Sequence, residues 1–402
     1  MSASVRTQVD LLAVGLQELS YKEYISADDR WEAAIASHLA SAAPDLVRVD
    51  PITLMVFVRR QHLLAIREVE VKFVKTNFLG VFGHKGALAL RLSFADGALV
   101  TLVSCHLSPH AHRDSLIKRL LEYRWLVDGA KFSKEGVISA GAVFCFGDLN
   151  FRLTSALSNG RVIELATRAS DGDGSAAKEL LSFDQLRICQ HERRAFHDFV
   201  EADIDFAPTH KFVRNSDRYN DKRVPSYCDR ILYKSDAGAS VAPVSYGSLI
   251  AVNLSDHRPV YGVYEILDTS ERPMGSSVAS AANEPLVRIE LAKTAGDVAF
   301  VVAFKETNFV QGWFDWLGVY RSDFRSPSAC LTWCYVSWST WARGETTVDG
   351  VRRQTFAMPS NCCQGFETGG RQRLRFGYYC EYANCLLALS DEFELVIQDA
   401  TT

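Results

Sequence analysis

The sequence predicts an α/β fold of stacked sheets flanked by helices, followed by a separate all-β sandwich. Three observations lead there. The 402 residues exceed what one core normally organises. The stretch "DTSERPMGSSVASAANEP", residues 268–285, is rich in Ser, Ala and Pro without apolar periodicity and reads as a linker. Before it, strand-like and helix-like segments alternate; after it, nearly every segment is strand-like. Domains are therefore expected at residues 1–267 and 286–402, joined by 268–285.

In the first part, "VDLLAVGLQEL" is an apolar run of strand length ending in Gln17 and Glu18. "DDRWEAAIASHLASA" places Trp31, Ile35 and Leu39 at i, i+4 and i+8, a helical spacing, with Asp28 in capping position. "ITLMVFVR", "VEVKFVKT", "GALALRLSF" and "ALVTLVSCHL" read as strands, and "HRDSLIKRLLEYRWLV" as a charged amphipathic helix. "GAVFCFGDLN", "RILYKS" and "RPVYGVYEIL" are strands again, while "RASDGDGSAAKE" (168–179) has the composition of a surface loop. In the second part, "PLVRIEL", "DVAFVVAFK", "WLGVYR", "ACLTWCYVSWS", "TTVDGVRRQTFAM", "GRQRLRFGYYCEY" and "CLLALSDEFELVI" give short strands at the turn interval of a β-sandwich.

Composition narrows the function classes. Net charge is -4, from 44 basic and 48 acidic residues, which argues against a dedicated nucleic-acid binder. No run approaches the roughly 18 apolar residues of a transmembrane helix. The opening "MSASVRTQVDLLAV" lacks the pattern of a signal peptide, so a cytoplasmic location is expected. The 10 cysteines contain no CxxC pair, which disfavours zinc and favours reduced, mostly buried thiols.

Chemistry enters where apolar strands end in polar residues: Gln17-Glu18, His106, Asp148-x-Asn150, Asp229-Arg230 and Asp256-His257. In a layered fold such ends gather at one edge. Each alone has an ordinary structural role as a cap, a core histidine or a surface ion pair; five in one domain are harder to dismiss. Carboxylates suit a hard cation such as Mg²⁺, and imidazoles suit proton transfer or charge on a phosphoryl oxygen. The inventory fits metal-assisted hydrolysis of a phosphate ester. In a strand, residues i and i+2 share a face, so Asp148 and Asn150 are expected to address one phosphate together, with Arg152 in support.

"FGDLNFR", "PSYCDRILY" and "SDHRPV" resemble the signature motifs of inositol polyphosphate 5-phosphatases, and "GLQEL", "FGHKGALAL" and "SCHLSPH" are similar to the family's other motifs, in the same order. The resemblance covers roughly residues 10–266 and implies the four-layered α/β sandwich of the endonuclease/exonuclease/phosphatase superfamily. It implies Glu18 as a Mg²⁺ ligand, with Asp256 near the metal or its waters. It implies Asp148 as the residue that orients and deprotonates the attacking water, and Asn150 on a phosphoryl oxygen. His257 would stabilise charge on the scissile phosphate, oriented by Asp229, and His106 would donate to the phosphate. Lys85, Lys211 and Arg230 would grip a neighbouring ring phosphate, and Lys222 and Arg223 stand close by in sequence, or else form a solvated turn. His84 stands where the family more often has Asn, a change expected to affect lipid affinity. The family's opening "TWN" strand is not found among the 16 residues before Gln17, so weakened stability or activity is expected of this form.

"NFVQGWFDWLGVYRSDF" (308–324), with "LTWCYVSW" and "CLLALSDEFEL", looks like a SKICH domain, the β-sandwich that follows the phosphatase in the skeletal-muscle/kidney-enriched and proline-rich subgroup. This implies attachment to the plasma membrane or endoplasmic reticulum, or a protein partner; Trp313, Phe314 and Trp316 are either exposed for that purpose or packed in the sandwich. The expectation is therefore a Mg²⁺-dependent phosphatase acting on the 5-phosphate of phosphatidylinositol 4,5-bisphosphate and 3,4,5-trisphosphate by in-line water attack, peripheral to a membrane. The alternatives are an inert, partner-binding adaptor and a nuclease of the same fold.

Overall fold

The β6–β7 strand pair, residues 99–106 and 142–148, is parallel, and a parallel pair needs a long crossover, here provided by a helix at 113–129. The rest of the architecture grows around that unit. The computed structural model describes residues 9–18, 30–50, 54–75, 85–129, 132, 141–236, 239–268, 285–292, 298–305, 309–359, 366 and 370–396. Residues 269–284 of the expected linker, Asp28 and His84 lie outside the described residues. The elements of the first part are β1 (Leu11–Gly15), α1 (Arg30–Ala42), β2 (Leu46–Asp50), β3 (Leu54–Arg59), α2 (Arg60–Leu63), β4 (Ile66–Lys75), β5 (Gly86–Phe94), β6 (Leu99–His106), α3 (Arg113–Gly129) and β7 (Ala142–Asp148). They continue with α4 (Asn159–Ser170), α5 (Gly174–Leu181), α6 (Gln185–His191), β8 (Val200–Glu201), β9 (Asp229–Ser235), β10 (Ala239–Ser248) and β11 (Val260–Asp268).

Six strands form one sheet in the order β4-β5-β6-β7-β9-β8, while β1-β3-β2 and β10-β11 form two further sheets. Period-two alternation assigns each strand a face toward each layer. Leu88, Leu90 and Leu92 of β5, with Val100 and Leu102 of β6, meet Leu54, Val56 and Val58 of β3 in the core between sheets. The intervening Ala87, Ala89, Val103 and Cys105 face Tyr123 and Leu126 of α3 and Leu186 of α6. Met55 and Phe57 of β3 face outward to Ile35 and Leu39, on α1. The layers are therefore helix, sheet, sheet, helix: a four-layered α/β sandwich, as expected. Residues 168–179, whose composition suggests a loop, are mostly helical: they hold the end of α4, a turn at 171–173 and most of α5. Asp173 caps α5 there, accepting from the backbone N–H groups of Ser175 (2.9 Å) and Ala176 (3.3 Å).

The strands after residue 285 are β12 (Val287–Ala292), β13 (Val298–Lys305), β14 (Trp316–Arg321), β15 (Thr332–Tyr335), β16 (Ala342–Val348), β17 (Val351–Met358), β18 (Arg371–Cys380), β19 (Cys385–Leu389) and β20 (Phe393–Val396). Sheets β12-β13-β17-β16 and β15-β14-β18-β19, with β20 on β18, face one another; Phe300 stacks on Phe376 at 3.8 Å between centroids. "TTVDGVRRQTFAM" is a hairpin rather than one strand, because Asp349 and Gly350 both take positive φ and turn the chain. "CLLALSDEFELVI" likewise divides, into β19 and β20.

The β domain docks on the first. Val69 N donates to Ala383 O at 2.8 Å, and Arg48 N donates to Arg325 O at 2.7 Å. Val47 and Leu63 share a buried cluster with Tyr320, Phe324 and Leu386. Register shows which end of the sandwich this is. Ile66 pairs with Phe94 at one end of β5, and His106 pairs with Gly86 at the other. The docked end therefore lies about 27 Å along the strand, at about 3.4 Å per residue, from His106. All eight described cysteines are free thiols. No helix among the described residues is long and apolar enough to cross a membrane.

Leu90 is fully buried between the sheets. Leu90→Ala is expected to lower unfolding free energy by about 2–5 kcal/mol in a denaturant titration; a midpoint unchanged from the parent would contradict the two-sheet core.

Candidate active site

The polar strand ends meet by register. His106 of β6 pairs with Asp148 of β7, and Asp148 pairs with Asp229 of β9. Three neighbouring strands thus end in an imidazole and two carboxylates in one row. Gly147 permits this closeness: its φ is +124°, and a Cβ there would lie 2.3 Å from Cys105 O.

Asp148 is buried. Its Oδ1 accepts from Asn150 N at 3.0 Å, its Oδ2 accepts from Asn150 Nδ2 at 2.8 Å, and His106 Nε2 stands 3.4 Å from Oδ2. Burial alone would raise its pKa. The hydrogen bond from His106 and the charges of His257, His106 and Arg152 outweigh burial and hold the group below the ordinary carboxylate range. The shared strand face expected of Asp148 and Asn150 is corrected here: β7 ends at Asp148, and Asn150 has φ +56°. A turn, not a pleat, brings the two together, in a conformation that Asn tolerates better than most residues. Asn150 Nδ2 also donates to Leu107 O at 3.0 Å, and its Oδ1 accepts from Arg152.

Arg152 Nη1 also donates to Nδ1 of His210 at 2.8 Å, so Nδ1 of His210 is an acceptor and its ring is neutral. Burial, then the charges of His257 and Arg152, push the His210 pKa far down. Its ring lies 4.5 Å from that of His257. His257 Nδ1 contacts Asp229 Oδ2 at 2.9 Å and Oδ1 at 3.1 Å, and Thr209 Oγ1 donates to Asp229 Oδ2 at 2.6 Å. Burial disfavours charge on His257, yet Asp229, Asp148 and Asp256 raise its pKa to about 9. At neutral pH His257 is therefore an imidazolium, with Nδ1 committed to Asp229 and Nε2 left as a donor.

The loops bearing these groups are fastened from behind. Arg258 is buried over the Phe212 ring at 3.8 Å and donates to Ser255 O at 3.1 Å and Ser216 O at 2.6 Å. Glu122 and Arg119 of α3 hold the segment after His106: Glu122 accepts from Ser108 N at 2.8 Å, and Arg119 donates to Ser108 O at 3.0 Å and His110 O at 2.9 Å. Gln185 Oε1 ties Arg119 to Arg152 N, each at 3.0 Å.

Glu18 is largely exposed and stands 3.9 Å from both Lys85 Nζ and His106 Nε2. Lys85 contacts His106 directly; burial lowers its pKa more than Asp148 and Glu18 raise it. Lys211 pairs with Asp256 at 2.7 Å, and Arg214 stands 3.7 Å from the same carboxylate. Asp256 is thus engaged by cations at the cleft rim. Lys222 and Arg223 are exposed, as a solvated turn would be.

The oxygen donors suit a hard divalent cation. Glu18 and Asp148 flank the same His106 nitrogen, and the Glu18 carboxylate has only long contacts. Asp148, Asp229 and His257 also present donor atoms within 4.8 Å of one another, but the last two are committed to each other. The site therefore combines carboxylates able to hold a metal ion with an imidazolium and a lysine facing the same space.

The family model for "Endonuclease/Exonuclease/phosphatase family 2" matches residues 2–263. The chain belongs to that family. Among its relatives, the Mus musculus phosphatidylinositol 4,5-bisphosphate 5-phosphatase A is 28% identical over 416 aligned positions, covering 96% of this chain and 38% of that protein. The Mus musculus inositol polyphosphate 5-phosphatase K is 27% identical, covering 82% of this chain and 72% of its own length. A solved inositol polyphosphate 5-phosphatase domain of a synaptojanin, in complex with inositol (1,4)-bisphosphate and calcium ion, superposes with a TM-score of 0.55 at 29% identity, covering 63% of this chain and 74% of that one. The chain thus spans well under half the length of the first of these relatives.

Of the residues expected from the sequence, Glu18, Lys85, His106, Asp148, Asn150, Arg152, Asp229 and His257 lie in one cluster, with Lys211 and Asp256 paired nearby. Arg230 does not join them. Alternation along β9 turns it to the opposite side from Asp229, where it is fully buried on Asp184 (2.9 Å) and Glu201 (Nε to Oε1 2.8 Å). The expected grip of Arg230 on a phosphate is withdrawn; it is a structural ion pair. Sequence reading missed His210, one residue before Lys211 in "PTHKF", and Glu122, which lies on the buried side of an otherwise charged helix.

Two outcomes follow. The Asp229–His257 pair raises a histidine pKa, so its contribution to stability is fully present below the ordinary value near 6.5 and is lost as pH rises through about 9. In an NMR titration of the imidazole, Asp229→Asn is expected to return His257 toward the ordinary range; a midpoint unmoved by the substitution would contradict the pairing. Arg230→Met leaves Asp184 and Glu201 buried without a counter-charge, and should cost about 3–5 kcal/mol of stability by chemical denaturation. A loss confined to activity would instead return Arg230 to the substrate site.

Proposed function

We propose that the chain is a Mg²⁺-dependent phosphoinositide 5-phosphatase, releasing the 5-phosphate of phosphatidylinositol 4,5-bisphosphate and 3,4,5-trisphosphate. One observation carries the reading: an ionised, buried Asp148 lies between His106 and the Asp229–His257 pair, in a chain whose relatives include 5-phosphatases. Bound beside Glu18 and Asp148, Mg²⁺ would supply Lewis-acid stabilisation of developing charge. Asp148 orients the attacking water and takes its proton. His257 donates from Nε2 to a phosphoryl oxygen, and its Asp229 partner keeps Nδ1 occupied so that the ring presents that nitrogen alone. His106 donates to the same phosphate. Asn150 supplies its amide, held in place by Arg152. Lys85 and Lys211, with the exposed Lys222 and Arg223, provide positive charge for a second ring phosphate.

The β domain is read as a SKICH-type module that keeps a cytoplasmic enzyme at the plasma membrane or endoplasmic reticulum, or that engages a protein partner. Its docking at the sandwich end remote from His106 is compatible with that reading, since none of the docking contacts among the described residues involves the Asp148 cluster.

Phosphate release measured by malachite green across a panel of inositides tests the reading. Release is expected only from 5-phosphorylated members and only with Mg²⁺, and Asp148→Ala should lower it by at least about a hundredfold. Turnover within a few-fold of the parent in that variant would remove Asp148 from the mechanism.

A further inference from the structure

A second cavity, in the β domain, has walls of a different chemistry. An open pocket of about 290 Å³ is lined by Phe314, Trp316, Trp333, Tyr335 and Glu381, with Ser328 and Cys330 completing its wall. Strand pairing builds it. Trp316 of β14 stands opposite Tyr335 of β15, and Trp333 and Tyr335, two apart on β15, share a face. The rings meet steeply: Trp333 and Tyr335 at 82° and 4.9 Å between centroids, Trp316 and Trp333 at 63° and 6.3 Å, Phe314 and Tyr335 at 71° and 6.1 Å. The steep angles set the rings as walls at different inclinations, and Tyr379 backs Trp316 by stacking on it at 4.8 Å and 21°. They are not a sealed core, since Phe314 is 55% and Trp333 48% exposed.

Aromatic faces carry negative charge density, and Glu381 adds a full negative charge that makes no hydrogen bond or ion pair among the described residues. The complement to such a box is a cation with an apolar surface. An ordinary ammonium holds its water and gains little from ring faces; a methylated one has little to lose. The rim indicates the source of that cation. Trp313, 71% exposed, and Trp338, 55% exposed, stack on each other at 6.2 Å, and Trp338 meets Phe314 at 5.7 Å. Amphipathic rings exposed together favour the boundary between water and lipid.

We propose that this cage binds the trimethylammonium group of a choline lipid headgroup, with Trp313 and Trp338 resting in the bilayer interface. The inference concerns only the β domain and stands independently of the reaction at the Asp148 cleft.

Isothermal titration of the full chain with choline, and with its neutral isostere 3,3-dimethylbutan-1-ol, tests the cation. Choline should bind at least tenfold more tightly, and Glu381→Gln and Trp333→Ala should each lower its affinity at least fivefold. Glu381→Gln keeps side-chain shape at an exposed position, so it reads the charge without disturbing the fold. Sedimentation with phosphatidylcholine vesicles tests the source: binding should be competed by tetramethylammonium chloride and not by ammonium chloride. Equal binding of choline and the alcohol, or choline affinity indifferent to both substitutions, would overturn the cage. Capture of a trimethyl-lysine peptide without binding to phosphatidylcholine vesicles would overturn the headgroup assignment.

Discussion

The site depends on one constraint, the register of three adjacent strands. His106, Asp148 and Asp229 are consecutive partners across β6, β7 and β9. A slip of one residue in any of these pairings would turn a polar side chain into the apolar layer and an apolar one into the cleft. Both layers resist that slip. Leu102 and Phe144 are packed between the sheets, and Val103 and Cys145 are packed beneath α3. The chemistry of the cleft is thus fixed by apolar residues that take no part in it.

Charge is balanced in the same compact way. Asp148 stays ionised despite burial because cations face it, and His257 stays protonated because carboxylates face it. Each group's state depends on its neighbours, and interactions of this kind are stronger away from bulk water. Positioning is delegated to a second ring of residues. Glu122, Arg119 and Gln185 hold the segments after His106 and Asn150, while Arg258 holds the loop carrying His257.

Much of this was legible in the sequence. Near-continuous apolar runs in "GALALRLSF" and "ALVTLVSCHL" announce strands buried on both faces, and a polar residue at a strand end announces an edge. Local pattern failed where a partner distant in sequence decides. Arg230 sits in a motif beside Asp229, yet alternation sends it to Asp184 and Glu201, neither of which is close in sequence. Asn150 reaches Asp148 through a left-handed turn that no periodicity encodes. His210 gains its role from Arg152 and His257, 58 and 47 positions away in the chain. The Asp-Gly pair at 349–350 is a hairpin signal that the β-branched residues on either side of it obscure.

The β domain meets the first at the opposite end from His106, so the proposed cage and the Asp148 cluster occupy separate parts of the molecule. The central claim remains that register assembles one cation-binding, phosphate-facing cleft. Titration with Mn²⁺ followed by electron paramagnetic resonance tests it most directly. The account predicts a single bound ion, weakened by Glu18→Gln and by Asp148→Asn and unaffected by Glu381→Gln. Binding that ignores both Glu18 and Asp148 would contradict it.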